Sequence, residues 1–409
     1  TRTVDLTLGL RYTNERKRFD ATFTNDNVGC VANQRALLPF LSNAGLAATA
    51  GGIIGLSCQG NSTAELNGVS ISDERSEDEF TGTAIASWKP IDDLLVYGSY
   101  SRGYKAGGFN FDRSALKSPT LPFANFGGGS AQAGAQALVG NLQFDAETVN
   151  AFEIGFKYAT GPFSLSAAAF RQDFSNFQLN TFNGTNYIVQ NIGSCSTGLN
   201  GADRDNSSTT GACTGKVRSG VITQGFELEA GAYPTEDLTF NLGYTYAHTQ
   251  YRNNLVGSDA GEALNAALFL LPGAQMSNAP RHTVTSSASW TPPIGDNGMH
   301  ALFYVDSRLT SDYNTGSDLF LEKRQDGFFL VNARIGIRGR DQRWALEFWG
   351  QNVLNTNYQQ VAFAAPFQGA GSASQVAAFG SPDFATGNAI FSSYLAEPRT
   401  YGVTLRSRF

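Results

Sequence analysis

No run of 18 or more apolar residues occurs in the 409 residues, so the chain offers no transmembrane helix. Charge is sparse. Asp, Glu, Lys and Arg together make 16%, against about 25% in an ordinary soluble domain. Lysine is scarcest, with 7 among the 29 basic residues. The net charge is −6 and no dense Lys/Arg stripe occurs, which excludes nucleic acid as the main partner. There is no GxSxG motif, and the glycine run Gly127–Gly129 has no Lys-Ser/Thr after it. Only three histidines are present, His248, His282 and His300. His282 and Ser286 share a strand face but stand about 13 Å apart, too far for one hydrogen bond. The chain therefore reads as no enzyme, with no cofactor and no metal. It begins at Thr1 with no signal peptide, so it reads as part of a longer chain or a processed one.

What is present is glycine, at 45 residues, and aromatics at 12%, led by 30 Phe. They fall into stretches of period two, the signature of strands with unlike faces. In Leu238–Thr249, Leu238, Phe240, Leu242, Tyr244 and Tyr246 share one face; Thr239, Asn241, Gly243, Thr245 and Thr249 share the other. Twelve such strands are expected, near 2–23, 72–89, 94–110, 146–159, 163–180, 218–233, 238–252, 280–291, 299–314, 327–340, 343–360 and 396–409. Short turns rich in Pro, Gly and Asp alternate strictly with long loops through all eleven connections. A soluble sandwich has no reason to gather every long loop at one end. An outer-membrane barrel does, with short periplasmic turns and long outer loops. Many stretches run to 12–17 residues, long for a soluble strand of about 5–6. Trp88, Tyr158, Tyr233, Trp290 and Trp344 stand beside the short turns, as an interfacial girdle would. The fold class is thus all-β, a transmembrane antiparallel barrel with lipid on its apolar face.

Four segments carry a resemblance. They are Val96-Tyr-Gly-Ser-Tyr-Ser-Arg-Gly-Tyr-Lys-Ala-Gly-Gly-Phe-Asn110, Glu147-Thr-Val-Asn-Ala-Phe-Glu-Ile-Gly-Phe-Lys157, Gly350-Gln-Asn-Val-Leu-Asn-Thr-Asn-Tyr358 and Glu397-Pro-Arg-Thr-Tyr-Gly-Val-Thr-Leu-Arg-Ser-Arg-Phe409. In this order they resemble the C-terminal part of a TonB-dependent outer-membrane receptor, over essentially all 409 residues. The resemblance implies a 22-stranded barrel with a plugged lumen. The twelve strands expected here are about half of it, so residues 1–409 read as the C-terminal portion of the barrel, with the N-terminal plug domain and TonB-contacting box absent from the chain. The alternative is a complete, passive twelve-stranded channel. Implied partners are outer-membrane lipid, TonB through the missing N-terminal region, the barrel-assembly machinery and a scarce nutrient. Ferric siderophore is the default nutrient, with cobalamin, haem and oligosaccharides open. The implied location is the outer membrane of a Gram-negative bacterium.

The closing strand alternates Tyr401, Val403 and Leu405 up to a terminal Phe409, similar to an assembly signal read by strand addition. Cys30 and Cys58 share one outer loop, Cys195 and Cys213 another, which reads as two local disulfides in an oxidising compartment. A metal site is the weaker alternative, because neither pair has CxxC spacing or a nearby histidine. The polar face carries Glu153, Lys157, Glu227, Glu229, Asp306, Arg308, Arg334, Arg338, Glu347 and Arg406, either a hydrated lumen wall or a surface for a plug. Arg102, Tyr104, Lys105 and Phe109 stand near the outer rim. With Phe123, Phe126, Phe367 and Phe379 of two aromatic, weakly charged loops, they are the candidate ligand residues. Leu264, Ala267, Leu268 and Leu271 fall at helical spacing and predict a short helix over the mouth.

Overall fold

A computed structural model describes residues 3–24, 28–43, 45–57, 68–111, 113–116, 135–182, 187–199, 211–265, 268–340, 343–365, 373 and 390–408. Twelve long strands form one antiparallel meander. They are β1 (Thr3–Thr22), β2 (Ser70–Ile91), β3 (Leu94–Lys105), β4 (Glu147–Thr160), β5 (Phe163–Ser175) and β6 (Val221–Thr235). There follow β7 (Leu238–Tyr251), β8 (His282–Trp290), β9 (Met299–Thr310), β10 (Phe328–Arg338), β11 (Trp344–Gln351) and β12 (Thr400–Ser407). Each pairs with its neighbour in sequence, and β1 and β12 stand at the two ends of the order. The short turns make this pairing cheap. Gly161, Gly295 and Gly298 supply the positive φ that two of the turns require.

The register keeps one phase in line across the whole sheet. Val4 faces Trp88 and Trp88 faces Val96; Tyr100 faces Phe152, and Leu238, Trp290 and Phe303 follow in one row. These apolar side chains are not a core. Leu10 is 79% exposed and Leu405 73%, and Phe152, Ile154, Phe226, Phe303, Ile335 and Phe348 are exposed too. A continuous exposed apolar face of this size is unstable in water and suits hydrocarbon. Trp88, Tyr158, Tyr233, Trp290 and Trp344 mark its lower edge, next to the short turns. Tyr401, Val403 and Leu405 lie exposed on the edge strand β12. Phe409 lies outside the described residues.

On the opposite face, aromatic rings lie over glycines. Tyr97 covers Gly155 in the facing position, and its hydroxyl reaches Glu153 at 2.7 Å. Trp349 covers Gly402, and its indole donates to Thr404 at 3.1 Å. Any side chain at either glycine would occupy the ring's place.

The buried cores sit in the outer connections instead. Phe23, Val69, Ile71, Leu116, Val139 and Leu142 form one, around the tip of the β1–β2 ribbon. Leu179, Ile192, Val221, Tyr251, Leu255 and Leu264 belong to another. The ribbon itself projects past β3, since β2 pairs with β1 up to Ser70 but with β3 only as far as Gly82.

Several loops hold structure that period-two reading passed over. The first contains helices Val28–Leu37 and Ala47–Ser57. The expected strand 163–180 breaks at Asn176 (φ 53), after which Phe177–Phe182 pairs with Tyr187–Cys195. The expected strand 343–360 ends at Gln351, because Asn352 and Asn355 adopt φ of 47 and 55. Asn352 turns the chain by bonding Thr356 with both side-chain atoms, and Gln359–Ala364 then pairs with Phe391–Leu395. In the expected helix over 263–271, Ala267 lies outside the described residues; Leu264, Leu268 and Leu271 are buried, and successive three-residue turns, Leu268 to Asn265 and Leu271 to Leu268, stand in place of a regular helix among the described residues.

Candidate ligand vestibule

The four rim candidates divide by what they touch. Above the apolar belt, Glu77 of β2 is the hub of a polar lock. Its Oε1 accepts from the Tyr104 hydroxyl at 2.6 Å and the Gly107 amide at 2.9 Å, and its Oε2 accepts twice from Arg75 at 3.0 and 2.9 Å. Arg75 also reaches Asp145 at 2.8 Å, and Lys17 caps the Gly107 carbonyl at 2.6 Å. Burial pushes the Glu77 carboxyl up, but the bonds from Tyr104 and Arg75 prevail and hold it below the usual range. Gly107 is required there, since a Cβ would meet Arg75 and the Phe144 carbonyl. The lock pins the end of the Val96–Asn110 motif to the projecting ribbon.

Arg102 pairs in register with Gly82, in phase with Tyr100, and donates to the Phe80 carbonyl and to Glu79. Lys105 faces Glu147, whose carboxyl burial pushes up. Phe109 packs edge-on against Phe19 at 4.7 Å. None of these four lines either of the two cavities described next. Phe123, Phe126, Phe367, Phe379 and Cys58 lie outside the described residues. Cys195 and Cys213 are joined by a disulfide with Cα atoms 5.4 Å apart, and Cys30 is disulfide-bonded as well. Beside that bridge, Cys195 packs in one cluster with Leu199 and Val256, so the β5–β6 and β7–β8 loops are tied together.

Two cavities open between the outer loops. The first, about 690 Å³, lies among residues 110, 140–145, 188–191 and 257–265. Amides build its walls. Asn191 holds the Asp145 carbonyl and Asn176 carbonyl, both at 2.9 Å, while its own oxygen accepts from the Asp145 amide. Asn110 clasps Val189 through two bonds of 2.8 Å. Asp145 and Glu262 are the charged lining groups. Burial, and then the nearness of Asp145, push the Asp259 carboxyl up.

The second cavity, about 580 Å³, lies between Phe177–Asn180, Tyr251, Met276–Asn278, Thr315–Asp318 and Val361–Phe363. Lys323 lines it, nearly fully buried, bonded to Asp318 at 2.6 Å and capped by the rings of Phe320 and Phe391. Thr315 locks the loop, donating to the Lys323 carbonyl and accepting from the Ala362 amide. Sequence reasoning missed the amides and this ion pair. Loop asparagines are common, and a separation of five between Asp318 and Lys323 matches no motif.

Below the mouth, the polar phase is networked. Glu347, 1% exposed, lies between Arg334 at 3.1 Å and Arg338 at 3.3 Å. Asn332 donates to Asp306 at 2.8 Å, and Ser166 to Glu229 at 3.3 Å.

Comparison with known proteins agrees with this architecture. The chain is similar to the ferric yersiniabactin uptake receptor FyuA from Yersinia pestis, with 17% identity and a TM-score of 0.55 over 84% of this chain and 39% of that one. It is similar to the ferric-catecholate import receptor Fiu from K12 E. coli, with 16% identity and a TM-score of 0.54 over 100% of this chain and 43% of that one. The chain thus spans about two fifths of the solved structures it matches. A search of the curated proteins finds no match. Residues 1–353 match the family described as TonB dependent receptor-like, beta-barrel, and with that match over an exposed apolar belt and a meander of twelve strands, the chain belongs to the TonB-dependent receptor β-barrel family.

Proposed function

We propose that this chain is the C-terminal portion of an active-uptake receptor in the outer membrane of a Gram-negative bacterium. The observation that carries the reading is the division of the fold along its axis. An exposed apolar belt girdles the strands, and the described parts of the long connections after β3, β5, β7, β9 and β11 line two cavities at one end. The belt suits lipid, and the loop end suits capture of a solute from outside. β1 and β12 each keep one unpaired edge among the described residues. Open edges are costly in hydrocarbon, which favours closure by further strands into a larger barrel over a finished twelve-stranded channel.

In this reading, solute binds at the outer loops, and TonB, acting on an N-terminal plug, opens a path along the charged wall that holds Glu347 and Asp306. A ferric siderophore is the default solute, and the barrel-assembly machinery takes Tyr401–Phe409 as its signal. The test is uptake in a strain lacking the gene, complemented by the full-length receptor. Uptake that stops when an uncoupler collapses the inner-membrane proton gradient supports the receptor. Uptake indifferent to the uncoupler supports the passive channel.

A further inference from the structure

Three basic groups nearest the two cavities, Lys323, Arg75 and Arg252, are neutralised within the protein, whereas Arg35, Lys216, Arg218 and Arg281 are exposed further out. Lys323 lines the second cavity, but Asp318 holds its ammonium and two rings cover it. No basic side chain is among the described residues lining the first cavity. Arg75, which reaches its wall through Asp145, also serves Glu77; Arg252 is paired with Asp173 and Arg324 with Asp312. Outside the described side chains, the outer loops add by sequence only Arg113, Lys117 and Arg204 as bases. Asp26, Glu65, Asp112, Asp203, Asp205 and Asp383 outnumber them.

The first cavity offers Asp145 and Glu262 with the amides Gln143, Gln190 and Asn191. A polyanion entering it would lose hydration, meet carboxylates and find no base among the described residues that line it. An uncharged solute rich in hydroxyls and amides would exchange its water for amide and carboxylate partners at little electrostatic cost.

Resting on the uptake reading above, we propose that the first cavity selects an uncharged, hydroxyl- or amide-rich solute and rejects polyanionic ones. Two sources present that chemistry, a neutral ferric trishydroxamate and a neutral oligosaccharide. Isothermal titration of the folded, heat-modifiable protein separates them with four probes: ferrichrome, maltohexaose, ferric dicitrate and a ferric tris-catecholate. The expected result is that one neutral probe binds at least ten-fold tighter than either anion, and its identity names the source. Glu262→Lys, at an exposed position of the lining, should narrow that gap at least ten-fold by admitting the anions. Gln190→Lys, also in the lining, gives a second reading if the first variant fails to assemble. An anionic probe that binds the unaltered protein as tightly as the neutral ones overturns the proposal and leaves the uptake reading standing. Binding of none of the four by heat-modifiable protein also overturns the proposal, and the uptake reading is then decided separately by the uncoupler experiment.

Discussion

Tyr104 and Glu77 meet hydroxyl to carboxylate at 2.6 Å, joining a residue near the end of β3 to one on a ribbon that β3 no longer pairs with. The bond makes Tyr104 a brace of the outer rim. It is spent on the ribbon, so the tyrosine is not free to present its hydroxyl to a solute. Tyr104→Phe should therefore leave ligand affinity within about two-fold, a change well under the 1.4 kcal/mol that a ten-fold loss requires. Losing a hydrogen bond to a charged group costs about 1.5–3 kcal/mol, so the Gly107 amide should exchange roughly ten-fold faster or more. Hydrogen exchange read by mass spectrometry over 104–110 checks this. Affinity lost while exchange stays slow would return Tyr104 to the ligand.

The same carboxylate makes the rim sensitive to acid. Glu77 is held below its ordinary value by Tyr104 and Arg75 against its own burial, so its folded pKa lies under the unfolded one. Its contribution is complete above the unfolded value of about 4.3 and disappears as pH falls through the lower, folded value. Limited proteolysis of the β1–β2 ribbon should stay constant from neutral pH down to that point, then rise. Glu77→Gln should show the loosened ribbon already at neutral pH, with little further change on acidification.

The Cys195–Cys213 disulfide closes a separation of 18 residues. A loop of that size gives about 3 kcal/mol in the chain-entropy account. The bridge lies in an outer-loop cluster, whereas the barrel wall is held by the strand ladders. Replacing both cysteines by serine should loosen 193–219 and its pairing with Leu255–Val256, while heat-modifiable mobility of the barrel persists. Proteolysis within the β5–β6 loop is the readout. Loss of the barrel itself would mean that the bridge acts in assembly.

Period two was legible because each strand carries it alone. Leu238, Phe240 and Leu242 need no partner to declare a face, and the register then aligned that face across all twelve strands. The turns were legible for a like reason, since Gly161 and the Asp92–Asp93 pair act locally. The mouth was not. Asn191 becomes a cavity wall only after Phe177–Phe182 folds back on Tyr187–Cys195 and meets the loop before β4. Lys323 is neutralised by a residue in its own loop, which the bend at Leu319 (φ 60) brings near. The Gly350–Tyr358 motif was visible as a resemblance, but its work is local. Asn352 ends β11 and bonds Thr356 and the Glu397 carbonyl, which sets the path into the closing strand.

The wall beneath the mouth yields the last prediction. Glu347 is almost fully buried and serves two guanidinium groups, while Arg334 and Arg338 remain about a third exposed. Removing one partner from a buried pair costs about 3–5 kcal/mol, because a charge is left unmatched, and the partial hydration of both arginines lowers that figure here. Glu347→Leu should thus destabilise the wall by roughly 2–3 kcal/mol. Arg334→Leu in the same chain should restore little, since Arg338 still faces the vacated place. The triple change Arg334→Leu, Arg338→Leu, Glu347→Leu should recover much of the loss, as replacement of a whole buried ionic group by apolar residues is often neutral. Temperatures of barrel unfolding in detergent, taken from the shift between folded and unfolded gel mobility, rank the three variants. If the triple variant is no more stable than Glu347→Leu, the arginines hold the wall by contacts other than Glu347.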